Sequence, residues 1–132
     1  MHILDTQLLI WVCHEPERLP PLLAERLQRE RAFHFSLASL WEVSIKTSLG
    51  KPGFQIDVND LYIELLKLGF SELPIAFKHI EAAGKLPWLH RDPFDRLLVA
   101  AAQVEANTNN QSLLITADFT LTTYGSFVVL AN

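Results

Sequence analysis

Short strand-like runs alternate along the chain with longer segments of helical periodicity. Residues 32–37 show the strand period, because Phe33 and Phe35 fall on one side of an extended chain. The predicted strands cover residues 2–4, 32–37, 71–75, 112–116 and 127–131. The predicted helices cover residues 6–13, 20–31, 36–49, 57 or 59 to 68, 76–85 and 92 to about 106, with a polar turn at 107–111 and a helical turn at 119–124. Strands alternating with helices predict an α/β fold, a mainly parallel sheet with helices on both faces.

The helix that starts near Asp92 strengthens this prediction, because residues 97–102 are apolar nearly all round it, as in a buried helix. The length of 132 residues fits one domain over residues 1–132. Apolar residues make up 49% and charged residues 20%, which excludes a disordered chain.

Several features bear on the compartment. The longest apolar runs, residues 8–13 and 97–102, have six residues each, whereas a membrane-spanning helix needs about 20. The start, MHILDT, lacks the basic and apolar regions of a signal peptide. The single cysteine, Cys13, rules out an internal disulfide and argues against structural zinc. We therefore expect a cytoplasmic protein without a membrane partner.

Four acidic residues are predicted to meet at one edge of the sheet. Asp5 follows the first strand, and Asp118 follows the strand at 112–116. Asp95 lies in the first turn of the buried helix, and Glu42 lies on the helix after the second strand. Since ligands of open parallel sheets bind beyond the carboxyl ends of the strands, these positions are candidate site residues.

Taken singly, each acid has a simpler interpretation. Asp5 and Asp118 could cap the helical segments that follow them. Asp92 precedes a proline, and an Asp-Pro pair is common as the N-cap and first residue of a helix. Glu42 precedes Lys46 by four residues, which is the spacing of a surface ion pair. Taken together, four converging carboxylates would repel one another unless a hard divalent cation such as Mg²⁺ held them. Such a site lowers the pKa of a bound water and stabilises in-line phosphoryl displacement.

The net charge of −4 argues against a nucleic-acid partner at first sight. However, 15 acidic residues less the four clustered ones leave 11, which equals the 11 basic residues. A neutral remainder with local positive charge can hold RNA. The candidate RNA contacts, for each of which a solvated surface charge is the alternative, are Lys46, Lys51, Arg91 and Arg96.

Five segments resemble the PIN-domain ribonucleases, specifically the VapC-type toxins of toxin–antitoxin pairs. They are LDT (4–6), SLWEVSIKTSLGK (39–51), LPI (73–75), LPWLHRDPFDRLLVAAA (86–102) and TAD (116–118), in the family's order and spacing. The blocks LWEVSIK and HRDPFDRLL are the specific ones. Gln7 departs from the pattern, since relatives often carry His or Asn after LDT.

The resemblance implies a three-layer α/β/α sandwich and a metal-dependent endoribonuclease. Asp5, Glu42, Asp95 and Asp118 then match the catalytic, metal-binding acids for Mg²⁺ or Mn²⁺. Thr6 and Thr116 match supporting hydroxyls, and Asp92 matches a secondary acid. The resemblance further implies an RNA substrate, a homodimer and an antitoxin partner. Surface candidates for the dimer are Trp11, Leu19, Leu23 and Leu27.

Other readings stay open at this point. One is a non-catalytic PIN-like module that binds RNA or protein, and another is an acidic-pocket phosphoacceptor or phosphatase that uses Asp5. His90 is interpreted as a loop residue that makes hydrogen bonds, with a general base as the alternative. Trp88 is expected in the core or an interface, with stacking on an RNA base as the alternative.

Overall fold

Five parallel strands form one sheet in the computed structural model, which describes residues 1–108 and 111–132. The strands are β1 (His2–Leu4), β2 (Phe33–Ser36), β3 (Ser71–Leu73), β4 (Leu113–Thr116) and β5 (Val128–Leu130). Their order across the sheet is β3-β2-β1-β4-β5, and every neighbouring pair is parallel. The strand predictions are therefore confirmed. The predicted turn at 107–111 includes residues 109 and 110, which lie outside the described residues.

The helices also follow the predicted segments. They are α1 (Thr6–His14), α2 (Pro21–Arg29), α3 (Leu37–Ser48), α4 (Val58–Lys67), α5 (Phe77–Lys85) and α6 (Pro93–Thr108). The predicted turn at 119–124 is the 3₁₀ helix Phe119–Tyr124, and a further 3₁₀ helix, Pro16–Arg18, was not predicted. Within residues 1–108 and 111–132, no helix is both long and apolar enough to cross a membrane.

Local chemistry explains where these helices begin and end. The Ser36 hydroxyl accepts a hydrogen bond from the Ala38 amide at the start of α3, and the Asp57 carboxylate caps α4 in the same way. Gly50 and Gly69 follow α3 and α4 with φ angles of 67° and 90°. The left-handed conformation that ends these helices favours glycine.

The sheet is covered on both faces, as predicted. Leu4 and Ile115 pack with α1, α2, α3 and α4 on one face. Ile3 and Leu114, one residue earlier in each strand, pack with α5 and α6 on the other. Successive strand side chains point to opposite faces, so this alternation produces three layers, α/β/α. Leu23 lies in the first of these cores at 2% exposure and is not available to a dimer partner, contrary to its predicted surface role.

The strand order also locates a crevice. From β1 the chain proceeds to β2 and β3 on one side, whereas β4 pairs with β1 on the other side and leads to β5. Open α/β sheets bind ligands at such a switch point, beyond the carboxyl ends of the strands. Asp5 directly follows β1, and Thr116 is the last residue of β4, so both lie at this crevice.

Candidate active site

An open cleft of about 440 Å³ lies at the switch point between β1 and β4. The acids that line it are Asp5, Glu42, Asp92, Asp95 and Asp118. The chain from β1, the α3 and α6 helices and the segment after β4 each contribute to this set. The structure thus brings all four predicted acids into one cleft, together with the secondary acid.

Asp5 is held at the centre of the switch point and is 5% exposed. Its Oδ1 accepts a hydrogen bond from the Leu8 amide at 3.0 Å, so the predicted capping of α1 is real. Its Oδ2 accepts from the Thr116 hydroxyl and, at 2.9 Å, from the Ala117 amide. Burial raises the pKa of Asp5 above its ordinary value, these hydrogen bonds oppose the rise, and the Glu42 charge adds to it. Thr116 therefore fixes the orientation of Asp5.

Glu42 is buried while its ion-pair partner is not. Its Oε1 accepts from the Thr6 hydroxyl at 2.6 Å, and its Oε2 lies 2.8 Å from Lys46 Nζ. The side chains of Glu42 and Lys46 are 6% and 44% exposed. The hydrogen bond to Glu42 raises the pKa of Lys46, against an opposing effect of burial. The predicted i,i+4 pair thus exists, but it lies in the cleft, where Lys46 acts as a counter-ion for the acids.

Asp92 and Asp95 both lie at the start of α6, but their carboxylates differ in the hydrogen bonds that they accept. Asp92 Oδ1 accepts from the Phe94 and Asp95 amides at 2.9 and 3.0 Å, which is the capping role expected of it. Within the described residues, no group donates a hydrogen bond to the Asp95 carboxylate, and its ion-pair contact is His90 Nε2 at 3.7 Å. Burial, followed by the Asp92 and Glu42 charges, raises the pKa of Asp95 to about 7.

Asp118 faces His90 across the cleft. Its Oδ1 accepts from the amide and hydroxyl of Thr120, so it also caps the 3₁₀ helix, and its Oδ2 lies 3.4 Å from His90 Nε2. Burial pushes the pKa of Asp118 upward, but the hydrogen bonds from Thr120 and His90 outweigh it, and the pKa is lowered.

His90 lies beside the cleft, next to Asp95 and Asp118, a contact that the sequence did not predict. Its Nδ1 accepts a hydrogen bond from the Asp92 amide at 3.2 Å, as expected of a loop residue. In the neutral ring the proton then resides on Nε2, the atom that faces Asp95 and Asp118. Ligand atoms of these three residues lie within 4.8 Å of one another. The available signal was its position two residues before Asp92 in the HRDPFD block.

These donors fit a hard divalent cation. Mg²⁺ and Mn²⁺ prefer carboxylate oxygen and water, which the acids of the open cleft offer. The Asp95 side chain is 24% exposed, and no group within residues 1–108 and 111–132 donates a hydrogen bond to its carboxylate. Five acids line the cleft, and Lys46 is the one basic residue among the described residues that line it, so negative charge is in excess there. The charges of Asp92 and Glu42 add to the effect of burial in raising the pKa of Asp95.

The predicted basic residues divide into two groups. Lys46 lines the cleft, and Lys51 and Arg91 are exposed. Arg96 is 5% exposed, and its guanidinium donates to the carbonyls of the α5 end and the following loop. Since these donors are used internally, the structure does not support Arg96 as an RNA contact, and we correct that prediction.

A three-layer parallel α/β sandwich with an acidic cleft at its switch point defines the class of this protein. The sequence profile of the PIN domain matches residues 2–124, and the chain belongs to the PIN domain family. This confirms the resemblance found in the sequence.

Two solved structures share the fold at low identity. VapBC2 from Rickettsia felis, bound to a DNA fragment from its promoter, has a TM-score of 0.67 and 16% identity, over 99% of this chain and 97% of that one. FitAcB from Neisseria gonorrhoeae has a TM-score of 0.62 and 20% identity, over 100% and 97%. No curated protein matches the chain significantly.

Proposed function

We propose that this chain is a divalent-metal-dependent endoribonuclease and the toxin of a toxin–antitoxin pair. The observation that carries the proposal is the Asp95 carboxylate, which accepts no hydrogen bond from any described residue and lies among four other acids at the switch point. Membership of the PIN domain family and the fold shared with VapBC2 and FitAcB support it.

We assign distinct roles to the acids. Asp5 and Asp95 are the principal ligands, because Asp5 directly follows β1 at the switch point and no described residue donates a hydrogen bond to the Asp95 carboxylate. The charge of Glu42 is already balanced by a cation, because its Oε2 lies 2.8 Å from Lys46 Nζ, whereas Asp5 accepts hydrogen bonds from neutral donors. Glu42 therefore completes the site or orients its waters, as does Asp118. When bound, Mg²⁺ or Mn²⁺ supplies a water of lowered pKa and neutralises charge on the phosphoryl group.

The surrounding residues hold this arrangement in place. Thr116 and Thr6 orient Asp5 and Glu42 through their hydroxyls. His90 Nε2 lies 3.4 Å from Oδ2 of Asp118 and 3.7 Å from Oδ2 of Asp95, so its ring stands between these two acids. Asp92 keeps the first turn of α6 in place, so it positions Asp95 while adding negative charge. The chain's own contribution to catalysis is thus a rigid, water-accessible set of acids.

The proposed substrate is single-stranded or looped RNA, because the open cleft admits a strand. Lys46, Lys51 and Arg91 are the proposed phosphate contacts. We further propose a homodimer in the cytoplasm, inhibited by an antitoxin whose tail carries a basic residue into the acidic cleft. That residue would compete with the metal for the same carboxylates, and the contact would weaken as salt rises.

Product analysis tests the reaction. An RNA oligonucleotide incubated with the protein and Mg²⁺ should yield 5′-phosphate and 3′-hydroxyl ends, because water attacks phosphorus in line with the 3′-oxygen. The P–O3′ bond breaks, and the 3′-oxygen leaves and takes up a proton to become the 3′-hydroxyl. A 2′,3′-cyclic phosphate contradicts the proposal, since it requires the 2′-hydroxyl of the RNA as nucleophile. RNA binding without any cleavage would instead favour a non-catalytic PIN module.

A further inference from the structure

An exposed tryptophan lies in the loop beside the acidic cleft. Trp88 is 74% exposed, although its indole is the largest apolar side chain available to a core. The guanidinium carbon of Arg96 lies 3.9 Å from the ring centroid, within the range of a cation–π contact. One face of the ring therefore rests on a cation, and the exposure leaves the opposite face open to solvent.

The support beneath this ring is itself rigid. Arg96 donates from Nη2 to the Ala83 and Leu86 carbonyls at 2.9 and 3.2 Å. Its Nη1 donates to the carbonyls of Pro87 and His90 at 3.0 and 3.3 Å. The guanidinium thus joins the end of α5 to both sides of Trp88. A ring held in this way loses little conformational freedom when it binds a ligand.

The loop also places the ring close to the reacting region. Trp88 precedes His90 by two residues, so their Cα atoms are no more than about 7.6 Å apart. His90 Nε2 in turn lies 3.4 Å from Asp118 and 3.7 Å from Asp95. The loop that carries Trp88 therefore borders the acids, within reach of a nucleotide next to a scissile phosphate bound there.

We propose that Trp88 is a stacking platform for a nucleobase next to the scissile phosphate of single-stranded RNA. The inference rests on the proposed function and adds a substrate contact to it. Stacking requires a flat, oriented ring with one free face, which the Arg96 support provides, and every base offers a matching face. Unlike the charged candidates, this contact recognises unpaired bases, so it favours single strands over duplex RNA.

Abasic substitution tests the contact directly. The probe is an RNA oligonucleotide that the wild-type protein cuts at one site, with a series of single abasic nucleotides on either side. For the wild type, one position near the cut should lower kcat/KM about tenfold or more, the effect of losing one stacked base. Trp88→Ala should lower kcat/KM on intact RNA by a similar factor and lose its sensitivity at that position. Trp88→Phe should keep part of the sensitivity, and Trp88→Leu should not.

Phe77→Ala is the matched control, because Phe77 is 75% exposed and lies at the opposite end of α5. It should retain the wild-type abasic profile. If Trp88→Ala keeps the wild-type abasic profile, the inference is overturned. If it keeps that profile but its mass in light scattering changes, Trp88 belongs to a protein contact and the inference is likewise overturned. If the wild type cuts intact RNA but shows no abasic sensitivity, only this inference fails. If it cuts no RNA with Mg²⁺ or Mn²⁺, the proposed function fails and takes the inference with it.

Discussion

Replacing Asp95 by Asn should stabilise the metal-free protein, and more so at high pH. The folded chain holds this carboxyl at a pKa of about 7, against an ordinary value of 3.8. The folded state therefore keeps a proton that the unfolded chain releases, and stability falls as pH rises from about 4 through 7. The amide cannot ionise, so the variant escapes that loss.

The size of the effect follows from the same two pKa values. One pKa unit corresponds to about 1.36 kcal/mol, so full ionisation of Asp95 costs at most roughly 4 kcal/mol. Of this, roughly 2–3 kcal/mol develops between pH 5 and pH 8. At about 4 °C per kcal/mol for a chain of this size, the gain in Tm of Asp95→Asn should be about 8–12 °C larger at pH 8 than at pH 5.

Thermal unfolding followed by circular dichroism in EDTA, at both pH values, measures this difference. The cost of accommodating the amide is common to both conditions and cancels. Asp57→Asn is the matched control, because Asp57 caps α4 outside the cleft, and its effect on Tm should not depend on pH in this way. Adding Mg²⁺ should raise the Tm of the wild type and leave Asp95→Asn nearly unchanged. An Asp95→Asn gain that is equal at both pH values, or a loss that grows with pH, would refute the reasoning.

Three further predictions concern other parts of the molecule. Glu42→Gln should keep the fold and lower RNA cleavage by orders of magnitude, as checked by circular dichroism and a gel assay; wild-type rates would exclude Glu42 from the site. Arg96→Met should lower the free energy of unfolding by about 2–4 kcal/mol in urea titration, because buried carbonyls of the 83–90 loop lose a charged donor; an unchanged midpoint would contradict that role. Light scattering should show a dimer and, with the product of an adjacent reading frame, a larger complex; a monomer that binds no such partner would remove the toxin assignment.

The overall fold was predictable because its signals are local. Strand and helix periods alternate along the chain, and residues 97–102 are apolar nearly all round their helix. Such a helix is buried, here against a sheet. Asp5 and Asp118 were likewise predictable as site candidates, because each follows a parallel strand within two residues and so falls at the ligand-binding edge of the sheet. Both residues also cap the helical segments that follow them, so each has the capping role and the position in the cleft at once.

The remainder depends on contacts that no local pattern encodes. An arginine in sequence is expected at the surface, but Arg96 is buried because carbonyls from residues 83–90 converge on it. His90 is a loop residue by composition, and only the packing of that loop over α6 turns its Nε2 toward the acids. Leu23 lies on an amphipathic helix, and the sequence alone does not show whether its apolar face meets the chain's own core or a second copy.

Metal-dependent cleavage is the most direct test of the central claim, that the acids at the β1–β4 switch point form a divalent-metal nuclease centre. The measurement compares the cleavage rate of single-stranded RNA by the wild type in Mg²⁺, Mn²⁺ and EDTA with that of Asp5→Asn, with Asp57→Asn as the matched control. We predict cleavage that requires the metal, is lost in Asp5→Asn and is retained in Asp57→Asn. Cleavage by Asp5→Asn at the wild-type rate in Mg²⁺, or full activity of the wild type in EDTA, would contradict the account.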